Sequence, residues 1–254
     1  MPQFQTSDGL NLSYRVLGSG APVILLHGWS VDGSLWNSVT EALTTVGLQL
    51  IIPDQRGAGS SDKPDSGYGI EQYAADVGAL ADALELDRFA LMGHSMGGQI
   101  AQVAAADLGE RVEKLALVCP VPAAGFPLPP EAMALFRGSA GNPEMQTTIF
   151  GMSTKQLDDA GLAAMLEMAS TVCAPCVEQS LDAWTKGGFG DRPGKISAET
   201  VVVGTDDPFL TPEILDQTVV QPIPGARFVH LPGPGHYPQI EAPAQLGAIL
   251  AGLF

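Results

Sequence analysis

Residues 93–98 read GHSMGG, and this short stretch decides how the rest of the sequence is interpreted. It lies between an apolar run at 89–92, which predicts a strand, and a segment from Gln99 that predicts a helix. So tight a turn from strand to helix requires glycines around its central residue, because a Cβ there would clash with the neighbouring backbone. The turn would place the hydroxyl group of Ser95 at a helix N-terminus, where the helix dipole favours developing negative charge. The stretch therefore predicts a nucleophilic serine, and the plain alternative is a glycine–serine turn without chemistry.

A serine hydroxyl group is a weak nucleophile at neutral pH and needs a base, which is usually a histidine oriented by a third group. The chain has four histidines. His94 lies inside the turn, His27 begins a glycine turn, and His230 lies in a strand-like run where a core or surface histidine is expected. His236 instead lies in a loop after the last predicted strand, which is where active sites of α/β proteins assemble. We therefore predict His236 as the general base.

The orienting acid is predicted in the loop at 204–207, which reads GTDD and follows a strand-like apolar run. The other plausible position is the loop after residues 115–118, but no carboxylate occurs there before Glu131. Of the two aspartates, Asp207 is chosen because it fits a Gly-x-x-Asp loop. Asp206 is then expected to be a solvated or loop-capping residue.

A backbone site for negative charge is predicted at residues 27–29, which read HGW and follow the apolar run at 22–26. Acyl transfer needs N–H groups that stabilise the charged oxygen of the tetrahedral intermediate. The position of this turn predicts that the backbone N–H groups of Trp29 and Met96 form that oxyanion hole. The alternative is that the turn at 27–28 only reverses the chain.

Short apolar runs alternate with helix-length segments, which is typical of a mostly parallel sheet covered by helices on both faces. The predicted buried strands lie at residues 22–26, 50–53, 89–92, 115–118, 201–203 and 228–231. An antiparallel edge hairpin is predicted at residues 3–6 and 12–16 around the Asp8-Gly9 pair. Helical periodicity predicts helices at residues 70–84, 99–106 and 244–253.

No strand-like run occurs between about residues 120 and 193. This insertion is too long for a simple crossover, so residues 120–193 are predicted as a helical cap on a core formed by residues 1–119 and 194–254. The underside of a cap supplies the apolar lining of a pocket. The predicted pocket residues are Trp29, Phe126, Met133, Phe136 and Trp184, and the alternative is that the cap residues among them fill the interior of the cap.

Composition excludes several classes of protein. Apolar residues make up 45% of the 254, which excludes a disordered or fibrous chain. With 12 Lys and Arg against 28 Asp and Glu, the net charge of −16 repels phosphate backbones and anionic lipid, so neither nucleic acid nor a membrane is expected as a partner. The N-terminus shows no basic segment followed by an apolar one, and no apolar run approaches the ~18–20 residues of a membrane span. The chain is therefore expected to be soluble and cytoplasmic.

The three cysteines do not form a disulfide framework. Cys173 and Cys176 have the C-x-x-C spacing of a redox pair, but they lie in the predicted cap, away from a β–α redox motif. We predict two thiols in the core of the cap, with a disulfide as the alternative. Zinc needs four ligands and only Cys119 is left over, so no metal is expected.

Together these motifs resemble the α/β-hydrolase family over essentially the whole chain. The resemblance rests on the type, order and spacing of HGW at 27–29 with Trp36, the loop at 54–61, GHSMGG at 93–98, the loop at 204–207, and Gly235-His236. The order serine, aspartate, histidine along the chain is also that of the family. The resemblance implies an α/β-hydrolase fold with a doubly wound, mostly parallel sheet and a helical cap inserted between two strands. It also implies a structural role for Asp54 and Arg56.

The branch that the chain resembles most includes small capped carboxylesterases, enol-lactonases, and cofactor-free haloperoxidases or perhydrolases. Epoxide hydrolases and haloalkane dehalogenases of similar outline use aspartate as the nucleophile, and Ser95 argues against both. Hydrolases of carbon–carbon bonds usually have asparagine before the nucleophile, where this chain has His94.

The function implied is that of a carboxylic ester hydrolase, which cleaves esters or lactones through an acyl-enzyme on Ser95. Its catalytic residues would be Ser95, Asp207 and His236, without a metal or organic cofactor. A small, mainly apolar molecule is the expected substrate, and a homodimer is left open as its assembly. The alternatives are a C–C bond hydrolase of ring-cleavage products, a perhydrolase with the same three residues, and a catalytically silent binding protein of the same fold.

Overall fold

The computed structural model describes residues 1–254, and its centre is one sheet of eight strands in the order β1-β2-β4-β3-β5-β6-β7-β8. The strands are β1 (Gln3–Gln5), β2 (Asn11–Leu17), β3 (Ala21–Leu26), β4 (Leu48–Pro53), β5 (Phe89–His94), β6 (Val112–Val118), β7 (Glu199–Thr205) and β8 (Arg227–Leu231). Strand β2 pairs antiparallel with β1 and β4, and all other neighbours are parallel. The mostly parallel sheet with an antiparallel hairpin at one edge is confirmed.

Ten α-helices surround the sheet. They are α1 (Thr40–Thr45), α2 (Ile70–Ala83), α3 (Met96–Leu108), α4 (Pro130–Gly138), α5 (Pro143–Ser153), α6 (Asp159–Ser170), α7 (Ala174–Lys186), α8 (Pro212–Leu215), α9 (Pro238–Glu241) and α10 (Pro243–Ala251). Short 3₁₀ turns occupy Gly33–Val39, Gly109–Arg111 and Pro193–Lys195, and a π-helical turn occupies Asp216–Val220. The segment from Gly33 to Thr45 was not predicted as helical.

Both faces of the sheet are buried, as expected for parallel strands. Along β3, Ile24 and Leu26 belong to one apolar core, and Val23 and Leu25 belong to another. Successive side chains of a strand point to opposite faces, so these two cores lie on the two sides of the sheet. The helices therefore cover the sheet on both sides, which is the doubly wound arrangement.

The observed strands are longer than the apolar runs that predicted them. Strand β6 begins at Val112 and includes the exposed Glu113 and the half-buried Lys114, whereas the run begins only at Leu115. Polar residues are tolerated at strand ends because those ends are nearer to solvent. An apolar run therefore detects the buried middle of a strand and misses its ends.

Between β6 and β7 the chain forms helices α4 to α7 and no strand. We call residues 120–193 the cap, and its status as a separate domain stays a prediction. The cap contacts the core directly, since the indole Nε1 of Trp29 donates to the carbonyl oxygen of Val177 in α7 at 3.0 Å. No single helix is both long and apolar enough to cross a membrane; α6 and α7 meet that test only as a pair, which is bent by 101°.

Cys173 and Cys176 are free thiols, but they do not lie in the interior of the cap as predicted. The thiol of Cys173 lies 3.2 Å from the hydroxyl oxygen of Tyr68, and that of Cys176 lies 3.3 Å from the hydroxyl oxygen of Tyr73. Both tyrosines belong to the core, so the first turn of α7 is packed against the core. The prediction was wrong on this point because sequence spacing does not show which side of a helix faces its neighbour.

The loop after β4 is held by buried charges. The Arg56 guanidinium group donates two hydrogen bonds of 2.7 Å to the Asp76 carboxylate and is also bonded to Asp8. The Asp54 carboxylate accepts from the backbone N–H groups of Gly33 and Ser60. These contacts connect the loop to neighbouring segments, and none of them involves Ser95.

Candidate active site

Ser95 occupies the sharp bend between β5 and α3. Its φ of +55° and ψ of −121° lie in a region that non-glycine residues rarely adopt. The bend is held in place by close backbone packing: a Cβ on Gly97 would lie 2.4 Å from the carbonyl oxygen of His27, and one on Gly93 would lie 2.3 Å from that of Gly97. Only glycine fits at these two positions, which explains the spacing in GHSMGG. The strained backbone points Ser95 away from the sheet edge and into a cavity.

His236 and Asp207 meet Ser95 at this edge. The Nε2 atom of His236 lies 2.8 Å from Ser95 Oγ, and its Nδ1 atom lies 2.5 Å from Asp207 Oδ2. Strands β5, β7 and β8 run parallel, so the loops that follow them meet at one edge of the sheet. The structure thus brings Ser95 together with two residues that lie more than 100 positions after it in the sequence.

The environment of Asp207 favours its ionised form. Burial raises the pKa of this carboxyl group. The adjacent His236 and hydrogen bonds from the backbone N–H groups of Phe209 and Leu210 lower the pKa by a larger amount, so it lies below its ordinary value. The ionised carboxylate accepts a hydrogen bond from the Nδ1–H group of His236. The Nε2 atom is then free of a proton and faces the Ser95 hydroxyl group, as a general base requires.

The turn at residues 27–29 lies directly against Ser95. A Cβ on Gly28 would lie 2.9 Å from His94 Nδ1 and 3.1 Å from the Cβ of Ser95, so glycine lets the turn pack closely at this position. The backbone N–H of Trp29 has no acceptor within the protein, and Met96 is the first residue of α3, where an N–H has no acceptor within the helix. Both residues predicted for the oxyanion hole thus have N–H groups that no intrahelical or turn hydrogen bond occupies.

The orientation of this turn is fixed by Gln55. The backbone N–H of Gln55 donates to His27 Nε2 at 3.0 Å, and its side-chain amide donates to the His27 carbonyl oxygen at 2.7 Å. Burial lowers the pKa of His27, which keeps the ring neutral and able to accept this bond. His27 is therefore a structural residue of the turn.

Ser95 and His236 open into a cavity of about 660 Å³ between the core and the cap. Thirteen of its twenty lining residues are hydrophobic. The exposed Glu131 is the only acidic residue in the lining, and no Lys or Arg belongs to it. The cavity is therefore apolar, with its polar groups concentrated near the serine and the histidine.

Four of the five predicted pocket residues line this cavity: Trp29, Phe126, Phe136 and Trp184. The indole ring of Trp29 stacks on the Phe136 ring with centroids 5.2 Å apart, which joins core and cap inside the cavity. Met133 does not line it, and the prediction was wrong there. Met133 lies about 100° around α4 from the lining residue Ala132, so it faces a different direction from that residue.

Sequence reasoning missed several lining residues, which are Leu135, Ile149, Met152, Phe209 and Leu210. Phe209 and Leu210 directly follow the Asp207-Pro208 pair, so their place in the loop of the predicted acid could have indicated them. Ile149 and Met152 lie on α5 at a spacing of three residues, but nothing in the sequence tells which face of α5 points to the serine.

Sequence reasoning also missed the contact that His94 makes with the predicted base. His94 is fully buried, and its Nε2 atom lies 2.8 Å from the backbone carbonyl oxygen of His236. Burial, together with the neighbouring His236, lowers the pKa of His94 to about 3, so the ring is neutral and its Nε2 proton is donated to that carbonyl. His94 therefore contacts the main chain of the predicted base, and its position next to Ser95 was the available signal.

The other aspartate of the loop, Asp206, makes different contacts. Its Oδ2 atom accepts from the Gly233 backbone N–H at 2.9 Å, and its Oδ1 atom lies 2.9 Å from His230 Nε2. The side chains of Asp206 and His230 are both exposed, and neither residue lines the cavity. Asp206 thus joins the loop after β7 to the loop after β8 at the surface.

Cys119, Asp207 and His236 place three potential metal-ligand atoms within 4.8 Å of one another. Burial raises the pKa of the Cys119 thiol well above its ordinary value, which disfavours the thiolate that metals bind. Asp207 and His236 are already hydrogen-bonded to each other. These donors fit a hydrogen-bonded pair better than a metal centre.

Comparisons with known proteins show the family and the fold. The model of the alpha/beta hydrolase family matches residues 23–249. Among solved structures, an esterase from Exiguobacterium antarcticum has a TM-score of 0.92 at 24% identity over 99% of this chain and 98% of that one, which is a likeness of fold. Est816, described as an N-acyl homoserine lactone degrading enzyme, has a TM-score of 0.87 at 30% identity over 100% of both chains.

A curated relative, the non-heme chloroperoxidase of Streptomyces lividans, is 40% identical over 120 residues. That alignment covers 46% of this chain and 44% of the relative. In several such matches, the aligned part of this chain covers about half of the curated relative's length or less.

Proposed function

This chain belongs to the alpha/beta hydrolase family, and we propose that it is a serine hydrolase that cleaves carboxylic esters and lactones through an acyl-enzyme on Ser95. One observation supports the proposal above all others. The Ser95 hydroxyl group lies 2.8 Å from an imidazole nitrogen whose opposite nitrogen is held by a buried carboxylate, and both residues face an apolar cavity.

The first half of the reaction forms the acyl-enzyme. His236 Nε2 takes the proton of Ser95 Oγ as this oxygen attacks the carbonyl carbon of the substrate. The N–H groups of Trp29 and Met96 donate to the oxygen that becomes negatively charged. As the C–O bond breaks, the imidazolium gives its proton to the leaving alcohol, or to the ring oxygen of an opening lactone.

Water then repeats the sequence on the acyl-enzyme. His236 takes a proton from the water as it attacks, and returns it to Ser95 as the free acid leaves. Throughout, the Asp207 carboxylate accepts the hydrogen bond of the His236 Nδ1–H group and stabilises the imidazolium that forms in each half. The three residues thus perform proton transfer and nucleophilic attack without any further group.

The cavity supports neutral, mainly apolar substrates. Its lining contains no Lys or Arg that could pair with a substrate carboxylate, and its one acidic residue is Glu131. Burying an unpaired carboxylate in such a lining is costly. Simple alkyl and aryl esters and acylated lactones therefore fit better than the dienoate products of ring cleavage. The full-length similarity to Est816 at 30% identity also favours lactones.

The test is a substrate panel with Ser95→Ala as the control. Hydrolysis of p-nitrophenyl esters from acetate to octanoate, of acyl homoserine lactones and of a ring-cleavage dienoate is measured under the same conditions. We expect turnover of esters and lactones, no turnover of the dienoate, and a loss of roughly 10⁵–10⁶-fold in kcat in Ser95→Ala. Preferred cleavage of the dienoate, or full activity in Ser95→Ala, would overturn the proposal.

Two further arms separate the remaining alternatives. Covalent labelling by a fluorophosphonate, lost in Ser95→Ala, distinguishes an active hydrolase from a silent binding protein of the same fold. Peracid formation from acetate and hydrogen peroxide measures perhydrolysis, in which peroxide replaces water as the acceptor of the acyl group. We expect labelling of the protein and ester hydrolysis faster than perhydrolysis.

A further inference from the structure

One carboxylate beside the active site accepts hydrogen bonds from four backbone N–H groups. Glu241 Oε2 accepts from Lys155 at 2.7 Å, from Gln156 at 2.9 Å and from Gly235 at 2.9 Å, and its Oε1 accepts from Tyr237 at 3.3 Å. Two of these donors lie in the cap, just after α5, and two flank the predicted base. Hydrogen bonds to an ionised acceptor are about twice as strong as neutral ones.

The two segments that Glu241 joins also touch each other directly. The backbone N–H of His236 donates to the carbonyl oxygen of Ser153, the last residue of α5, at 2.8 Å. A Cβ on Gly235 would lie 2.5 Å from the same oxygen, so the loop approaches the cap closely. The main chain of His236 is therefore held by the cap at its N–H and, as described, by His94 at its carbonyl.

We propose that Glu241 is a positioning residue that fixes His236 against Ser95 and couples this geometry to helix α5 of the cap. The proposal rests on the proposed function, because it assigns Glu241 a role in the same reaction. Glu241 does not line the cavity, so it acts through the backbone of residues 235–237. Displacing a catalytic group by about 1 Å can cost roughly 100-fold in rate.

The coupling reaches the substrate through α5. The same helix that ends at Ser153 contributes Ile149 and Met152 to the cavity wall. One carboxylate thus sets both the position of the base and the position of the wall against which the acyl chain lies. The two effects are separable, since the base acts on every substrate and the wall contacts only those that are long enough.

The test compares Glu241→Gln with Glu167→Gln. Glutamine keeps the size of the side chain but replaces one acceptor oxygen by an amide group that cannot accept from an N–H. Glu167 is exposed on α6 and its side chain makes no hydrogen bond or ion pair, so its variant removes the same charge without touching either loop. The substrates are p-nitrophenyl acetate and p-nitrophenyl octanoate.

In Glu241→Gln we expect kcat to fall roughly 10–100-fold for both esters, with KM for the acetate changed less than about threefold. Glu167→Gln is expected to match the wild type in both constants. A loss confined to KM for the octanoate would make Glu241 a support of the cavity wall only and would overturn the proposal. An unchanged kcat in Glu241→Gln would also overturn it.

A spectroscopic measurement keeps the test independent of turnover. The short bond between His236 Nδ1 and Asp207 is expected to give a downfield ¹H resonance, which broadens in Glu241→Gln and stays unchanged in Glu167→Gln. If the wild type cleaves no ester, the proposed function fails, yet this resonance still reports whether Glu241 positions His236. If Glu241→Gln does not fold, Glu241→Asp replaces it in both measurements, with a smaller loss expected because the charge is kept.

Discussion

Two neighbouring aspartates in this protein each pair with a histidine, and only one of the two pairs lies beside a serine. Asp207 Oδ2 lies 2.5 Å from His236, and Asp206 Oδ1 lies 2.9 Å from His230. The side chains of the first pair are 0% and 12% exposed, and those of the second are 36% and 41% exposed. The chemical groups are identical, so the difference in surroundings decides what each pair can do.

The pKa of each aspartate is lowered, but by different groups. For Asp207, burial opposes ionisation, and the charge of His236 together with hydrogen bonds outweighs it. For the exposed Asp206, the main cause is the hydrogen bond from the Gly233 N–H, and the bond to His230 comes second. A low pKa is therefore no sign of a catalytic carboxylate by itself; the second nitrogen of its histidine must also face a nucleophile.

The largest difference between the pairs is expected from their histidines. His236→Ala removes the base from Ser95, so kcat/KM for p-nitrophenyl esters should fall roughly 10⁵–10⁶-fold. His230→Ala should keep kcat/KM within about threefold of the wild type, because the hydrogen bond of its ring goes to Asp206 and the residue does not line the cavity. Steady-state kinetics of both variants, with circular dichroism to check folding, measures the contrast. Similar losses of kcat/KM in His236→Ala and His230→Ala would contradict the predicted difference between the two pairs.

The second-largest difference in kcat is expected between variants of the two aspartates. In Asp207→Asn the amide can donate to His236 Nδ1 and thereby favours the proton on Nε2, where it blocks acceptance from Ser95; we expect a loss of roughly 10³–10⁴-fold in kcat. Asp206→Asn should leave kcat within about threefold. Fluorophosphonate labelling rates of the two variants provide a check that does not depend on the choice of substrate. If Asp206→Asn proved the more damaging change, the assignment of the acid would have to be reversed.

Acid should weaken the fold through Asp207 in a predictable direction. The pKa of Asp207 is lower in the folded chain than in the unfolded one, so its ionised form stabilises the fold above the ordinary aspartate pKa of about 3.9. This contribution is lost as pH falls through the lower, folded-state value. The free energy of unfolding in urea should therefore depend less on pH between about 4 and 2 in Asp207→Asn than in the wild type. An equally steep dependence in the variant would contradict this account.

The smallest effect concerns Asp206 alone. Because the Gly233 N–H is the main cause of its lowered pKa, His230→Ala should raise that pKa without restoring the ordinary value. Titration of the Asp206 carboxyl carbon by NMR, in the wild type and in His230→Ala, measures both values. A complete return to the ordinary value would mean that the histidine, and not the loop, governs this carboxylate.

The sequence allowed Asp207 to be chosen over Asp206 only through the Gly-x-x-Asp spacing. The sheet itself was predictable because parallel strands have apolar middles. The loops that follow β5, β7 and β8 lie at the same edge when those strands run parallel in one sheet. Three residues in such loops could therefore be expected at one place before any coordinates were known. The contacts of His230 could not be expected from the sequence, because a polar side chain on a strand can form hydrogen bonds with many different residues.

The misses have a common physical origin. Met133, Cys173 and Cys176 all lie on or next to cap helices, and their environment depends on how these helices are rotated against the core. Glu241 lies five residues after His236, but a single glutamate at the end of a short helix gives no pattern that distinguishes a hydrogen-bonded side chain from a solvated one. Periodicity predicts helices and strands, and it says little about which side chains form contacts between these elements.

The absence of Lys and Arg from the cavity has a consequence for the end of the catalytic cycle. In the proposed reaction, each turnover would convert a neutral acyl group into a carboxylate anion, for which the lining offers no Lys or Arg and one acidic residue, the exposed Glu131. The overall charge of −16 repels it further. We therefore expect electrostatics to favour release of the acid product of that reaction, and the free acid to inhibit this protein only weakly.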